Sequence, residues 1–310
     1  AGTPMRILVR HLDRLDPAEW AGIEVCRGDL RAPVRLAVAM RGIDTVLHLA
    51  AHTRAWDADP DVFAAVNVAA VRDLLGAAEA NGVRRLVHVS TVMTHPSLAG
   101  RRQSCRRLTP YEETKFAADR LVEAAAARGL GAVTVHPTRV YGPGPLGPSN
   151  GVTRLIDMAL RSPLVLRLAD HGVPGNYVHV ADVAAGILLA AERGRVGGQY
   201  ILGGANLSIP ALLALVAELS GLHPAILPIP AGLAIAVAHL AVAGGWLGLP
   251  VPFTPDWVRV FLEDQSVDAT QTCRDLGYAP RSVRDGLEET IRWLRHRLES
   301  DGSLGYPLRA

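Results

Sequence analysis

The sequence predicts an α/β fold: a doubly wound, parallel sheet followed by a smaller, mostly helical C-terminal substrate domain. Three observations lead there. In the first half, short apolar runs alternate with helical stretches, the rhythm of parallel strands joined by crossover helices. Those runs (RILV, TVLHL, RLVHV, AVTV) are nearly continuous in apolar or β-branched residues, as strands covered on both faces should be. After Val140 the chain turns to YGPGPLGPSNG, dense in Pro and Gly, which marks an exit from the sheet.

Taken in order, the expected strands are Met5 to Val9, Ile23 to Cys26, Thr45 to Leu49, Arg85 to Val89 and Ala132 to Val135. Asp61 to Asn81 and Glu112 to Arg128 read as helices, each preceded by Pro, rich in Ala and Leu, and followed by Gly82 or Gly129 in C-cap position. Asp182 to Glu192 reads as a helix and Tyr200 to Leu202 as a strand returning to the sheet. From Ile209 the chain reads as helical throughout. It ends in an amphipathic helix, Val283 to Leu298, with Val283, Leu287, Ile291 and Leu294 at helical spacing. The division expected is a sheet domain over 1–145, with 177–204 returning to it, and a smaller domain over 146–310.

Composition narrows the function. A chain of 310 residues, 49% hydrophobic, can bury a substantial core. With 32 Lys+Arg against 30 Asp+Glu there is no basic stripe for nucleic acid, so a small-molecule substrate is the expected partner. Cys26, Cys105 and Cys273 lack C-x-x-C spacing and read as reduced thiols, two of them core fillers, in a cytoplasmic protein. No secretory leader is visible at Ala-Gly-Thr-Pro-Met. From Ala231 to Leu249 there are 19 residues without a formal charge, close to the ~20 of a membrane span. Its Ala- and Gly-rich texture, His239 and the Gly244-Gly245 break favour a buried or pocket-covering helix over an integral segment; peripheral membrane contact is the alternative.

The sharpest chemical signal is Tyr111-Glu-Glu-Thr-Lys115 at a helix start. An i, i+4 pair shares a helix face, so the ammonium can sit beneath the phenol and favour its ionised form. Alone, such a pair also fits a solvated helix. Earlier in the chain, RLVHV ends in Ser90 and Thr91, two hydroxyls at the end of a strand, where open α/β sheets do their chemistry. Thr91, Tyr111 and Lys115, with Ser90 beside them, therefore form a candidate proton relay. Strand capping is the alternative for the two hydroxyls.

An ordered series of stretches then carries a resemblance: Gly28-Asp29-Leu30; TVLHLAA from Thr45 to Ala51; Asn67-Val68 within DVFAAVNVAAVRDLL; RLVHVST; YEETK; HPTRVYGPG; YVHVADVAAGILLA; GGQYILGG; and LGYAPRSVRDGL. In these the chain resembles the extended, epimerase/dehydratase-like short-chain dehydrogenases. Within them it is most similar to the dihydroflavonol reductase and 3β-hydroxysteroid dehydrogenase branch and to hopanoid-associated epimerase-like proteins. The resemblance implies a Rossmann-like sheet and a nicotinamide cofactor. It makes Tyr111 the general acid/base, and gives Lys115 two roles: lowering the phenol's pKa and binding the nicotinamide ribose. Thr91 stands for the catalytic Ser/Thr. By the same resemblance, Asp29 and Leu30 lie at the adenine and Leu49, Ala50 and Ala51 line the cofactor. Asn67 supports the active-site backbone, and the turn from Pro137 to Val140 faces the nicotinamide. Val92 and Met93, where the sugar-nucleotide dehydratases carry acidic residues, disfavour that branch.

Arg10 ends the first expected strand, where a guanidinium suits a 2′-phosphate. NADP is the cofactor expected, with NAD as the alternative and plain solvated surface as the other reading of Arg10. The chain also departs from the family it resembles. The strand, G-x-x-G-x-x-G loop and helix that open such proteins are absent before Met5, so the central strand of the sheet is missing and the flanking strands should close up or rearrange. A trimmed chain is one explanation; natural loss of the loop, with no cofactor bound, is the other. The activity expected is interconversion of a hydroxyl and a ketone on an apolar, terpenoid-, polyketide- or steroid-like molecule. A nucleotide-sugar epimerase and a cofactor-free enzyme or binding protein are the alternatives. No metal site is expected, and a homodimer is compatible.

Overall fold

A parallel pair begins the chain, β1 (Arg6–Val9) with β2 (Glu24–Arg27), followed by α1 (Pro33–Ala39). The computed structural model describes residues 4–12, 20–99, 109–147, 150–169 and 172–300; Cys105 lies outside them. Next come β3 (Thr45–His48), a helical run composed of α2 (Asp61–Ala64), a π turn (Ala65–Ala69) and α3 (Ala70–Ala80), β4 (Arg85–Val89), and the short α4 (Pro96–Ala99). The long α5 (Pro110–Ala127) leads into β5 (Ala132–Pro137). Gly82 and Gly129 end their helices with φ of +66° and +109°, a region closed to most side chains. Gly131 has a different reason: a Cβ there would run into the Arg84 carbonyl.

Beyond β5 the chain forms β6 (Arg139–Tyr141), α6 (Gly151–Arg161), β7 (Leu164–Leu168) and β8 (Pro174–His179). It then returns through α7 (Val180–Arg193) to β9 (Gln199–Leu202), which pairs in parallel with β5. The remainder is β10 (Ala205–Ser208), α8 (Ile209–Ser220), β11 (Ala225–Ile229), α9 (Ala231–Gly245), α10 (Pro255–Phe261), α11 (Thr270–Leu276) and α12 (Val283–Ser300). The fold is Rossmann-like: a parallel sheet in the order β3-β4-β5-β9, with helices packed over the apolar residues that the strands present.

Four expectations need correction. β1 and β3, expected to close up or rearrange, do not close up. Among the described residues β1–β2 and β3-β4-β5-β9 are separate sheets. Both are held by the helix layer, where Leu36, Leu74 and Leu75 pack with Leu8 of β1 and Val46 of β3. Arg6 adds a tether by donating to the carbonyls of Ala39 and Arg41, just ahead of β3. The region after Ile209 is not all helix: β11 runs parallel to β7 as a two-stranded sheet. Pro228 lies within it, and an edge strand tolerates proline. The helix expected from Ala231 is not buried. Only Ala238 and Gly245 are covered, while Leu240 and Leu247 are 74% and 83% exposed. Small residues make the contact, so the large ones face outward. No helix among the described residues is long and apolar enough to cross a membrane. Finally, Cys26 and Cys273 are half-buried, not core residues.

Candidate active site

The start of α5 places the chemical groups. Thr109 caps the helix by accepting from the Glu112 N–H, Pro110 opens the first turn, and Glu112 and Glu113 suit its positive end. Residues 111, 115 and 119 then follow at one-turn intervals, and the side chains of Lys115 and Asp119 run beneath the ends of β4 and β5.

The Thr91 hydroxyl lies beside the Tyr111 phenol, which brings together two of the residues expected at the site. Burial pushes the phenol up to about 12; the Thr91 hydroxyl lowers it and the charge of Asp119 raises it. Lys115 donates to the Val89 carbonyl at 2.8 Å and lies 3.3 Å from His88 Nε2. Burial pulls its ammonium down to about 8, against the raising effect of Asp119. The expectation that the ammonium lowers the phenol's pKa is therefore corrected. Lys115 is buried and Tyr111 half-buried, and the ammonium's hydrogen bonds go to β4, so desolvation is the largest cause for both.

Ser90 donates to Asp119 Oδ2 at 2.9 Å and Thr94 to the same oxygen at 2.6 Å, while Thr91 accepts from the Met93 N–H and caps a single turn. Burial raises Asp119, but the neighbouring His88 and His136 and the Thr94 bond outweigh it and hold the carboxyl below its ordinary value. His136 Nδ1 lies 3.0 Å from the Thr91 carbonyl and fixes the strand end that carries the threonine.

Asn67 sits in the π turn, a distortion that recurs at functional sites. Its amide oxygen accepts from the His52 N–H at 2.8 Å, and its Nδ2 donates to the His52 carbonyl and to Thr114. The segment after β3 is thereby tied to α5. A few residues on, Trp56 meets Trp246 edge to face at 5.6 Å and packs close to Gly245, so this segment reaches the end of α9.

The remaining expected cofactor residues are spread around these strand ends. Arg10 is exposed after β1, and its charge reaches Asp29 and His52. Asp29 is clasped by Arg31 at 2.8 Å, and that bond holds its carboxyl down to about 2. Leu30 packs on the helix layer. Leu49 and Ala50 are exposed and Ala51 half-buried, whereas Pro137 is buried and Val140 packs with the sheet core. His88, Asp119 and His136 were not singled out from the sequence. Asp119 could have been: it continues the four-residue spacing of Tyr111 and Lys115. Asn176 was also missed; it accepts from Thr138 and the Gly204 N–H and donates to Asn206.

The residues fit one half of a nicotinamide cofactor. The Lys115 amine at the Val89 carbonyl, and the Tyr111 phenol and Thr91 hydroxyl near the end of β4, are donors of the kind a ribose and a reacting oxygen need. A pyrophosphate grip made of backbone N–H groups at a glycine-rich strand-to-helix turn does not occur among the described residues.

A Rossmann-like parallel sheet, with a hydroxyl, a phenol and an amine near the carboxyl end of β4, is the architecture of the dinucleotide-binding α/β class. Residues 5–203 match the NAD dependent epimerase/dehydratase family, and the chain belongs to that family of NAD(P)-dependent dehydrogenases, reductases, epimerases and dehydratases. It is 28% identical to the sterol demethylase protein B of Methylococcus capsulatus, over 96% of this chain and 92% of that protein. It is 31% identical to a 4-hydroxy-2-methyl-3-oxo-4-farnesyl-3,4-dihydroquinoline-1-oxide ketoreductase of Stigmatella aurantiaca, over 93% of this chain and 88% of that protein. Among solved structures it resembles MoeE5 in complex with UDP-glucuronic acid and NAD, with a TM-score of 0.73, 27% identity, and 96% and 92% of the two chains covered.

Proposed function

We propose that the chain is an NADP(H)-dependent oxidoreductase that interconverts a hydroxyl and a ketone on an apolar small molecule. The observation that carries this reading is the Thr91 hydroxyl beside the Tyr111 phenol at a strand end, with the exposed apolar face of α9 reached through Trp56 and Trp246. The ketoreductase and sterol demethylase names of two relatives support the apolar substrate class. Arg10, exposed and acting on Asp29, supports the phosphorylated cofactor.

A bound nicotinamide supplies or accepts the hydride. The chain's residues handle the proton. In reduction, Tyr111 donates its O–H proton to the carbonyl oxygen as that oxygen gains charge, and Thr91 holds the oxygen in place. A phenol pushed up to about 12 keeps its proton at neutral pH and is ready as the acid. Lys115 then returns a proton to the phenolate. The elements from Gly151 onward, apart from α7 and β9, form the substrate-binding part, and the apolar body of the substrate lies toward α9.

Two titrations test this reading. NADPH is expected to quench tryptophan fluorescence and bind more tightly than NADH, and NADPH is expected to be consumed with trans-2-decalone. Turnover of UDP-glucose without decalone reduction points to the epimerase reading, which the likeness to MoeE5 favours. No response to either nucleotide removes the oxidoreductase.

A further inference from the structure

Lys115, His88 and Asp119 meet around one imidazole nitrogen. His88 Nε2 lies 3.3 Å from Lys115 Nζ and 3.5 Å from Asp119 Oδ1, on a fully buried side chain. Asp119 Oδ2 accepts two hydroxyl hydrogen bonds, but neither Asp119 Oδ1 nor His88 Nδ1 makes one. A neutral imidazole has one N–H and one lone pair. With the lone pair on Nε2, the ring accepts from the ammonium and leaves Oδ1 unsatisfied. With the hydrogen on Nε2, it serves Oδ1 but opposes a charged lysine.

We propose that His88 is a proton-position switch coupled to Lys115: Nε2 accepts from the ammonium while Lys115 is charged, and donates to Asp119 Oδ1 once Lys115 has given its proton to the Tyr111 phenolate. The inference rests on the acid/base reading of Tyr111 given above. The proton count closes. One proton leaves Tyr111 for the substrate oxygen, one moves from Lys115 to the phenolate, and one returns to Lys115 from bulk water. His88 is neutral before and after: the Nδ1 proton leaves to bulk water and Nε2 takes one from bulk water, so the ring's own count is zero. Satisfying the buried Oδ1 stabilises the neutral amine, so the switch makes Lys115 a readier donor. The other titratable groups facing this pair are His48 of β3, stacked on His88 at 5.3 Å, His136 of β5, and Tyr111, which feels Asp119. Burial, with Lys115, lowers His88 to about 4. The ring is therefore neutral wherever the switch operates. His88 is a positioning residue, since it acts on Lys115.

The test reads the tautomer directly in the chain without added ligand. A histidine-15N sample is titrated from pH 6 to 10, with the His88 signals identified by their absence in His88→Gln. Below about 8, the value of Lys115, Nε2 is expected to be of the lone-pair type, and above it to bear the hydrogen. In Lys115→Met it is expected to bear the hydrogen at every pH. One fixed tautomer in the wild type, or an unchanged switch in Lys115→Met, overturns the proposal. In NADPH turnover of trans-2-decalone, His88→Gln keeps a bridging amide but cannot exchange its donor and acceptor. We expect kcat to fall about tenfold with KM unchanged, below the roughly 100- to 10,000-fold of a group that transfers the proton itself, as suits a positioning residue. An undiminished kcat overturns the role in turnover. If instead Tyr111→Phe reduces decalone as fast as the wild type, the acid/base reading fails, while the tautomer titration still decides how His88 and Lys115 are coupled.

Discussion

β5 and β2 are both short parallel strands, yet every residue of β5 is buried and none of β2 is. The difference is one of neighbours. β5 lies between β4 and β9 under α5 and α7, whereas among the described residues β2 pairs only with β1, in a sheet that no ladder joins to the rest. Burial on the β4–β5 side gives the chemistry its low-dielectric setting. The β1–β2 side, with exposed Arg10 and a carboxylate clasped by Arg31, is built for charge in water.

The contrast can be broken first at the site. Lys115→Met is expected to lower decalone turnover about 1,000-fold, within the range for an acid/base partner. A loss below tenfold in steady-state kinetics would detach the buried groups from the reaction. Next comes packing. Leu86 of β4 has no exposure, and Leu86→Ala is expected to cost about 4 kcal/mol of unfolding free energy in urea. Val25 of β2 is 38% exposed, and Val25→Ala belongs within about 0.5 kcal/mol. Equal costs would mean that the two sheets share one core.

Between those extremes lies a pH effect. Lys115 titrates at about 8 in the folded chain against 10.5 in a free side chain. Between these values the unfolded chain holds a proton that the native chain lacks, so stability rises with pH. The expected rise is about 3 kcal/mol, read as the difference between wild type and Lys115→Met. Absence of that difference would mean that the amine reaches solvent.

Much of the fold was legible because continuous apolar runs could be only buried strands. RLVHV and AVTV became neighbouring strands, with Val87 opposite Val133. Proline within AILPI concealed β11, since its edge position is a tertiary fact. The uncharged 231–249 stretch looked buried, but hydropathy does not say which residues make the contact; here alanine and glycine do. In the site, Tyr111 and Lys115 were visible as a spacing. The direction of the Lys115 ammonium was not: a histidine inside an apolar run gives no sign that a lysine from the next helix will turn toward it. The π turn at Asn67 was equally hidden, because its sequence, AVNVA, suits an ordinary helix.

The central claim is that the Tyr111 phenol is the proton donor of the reaction. Single-turnover reduction of trans-2-decalone by NADPH, compared between wild type and Tyr111→Phe at pH 7, tests it most directly. We expect the variant to be about 1,000-fold slower while NADPH binding changes little. A variant that reacts at the wild-type rate would contradict the account.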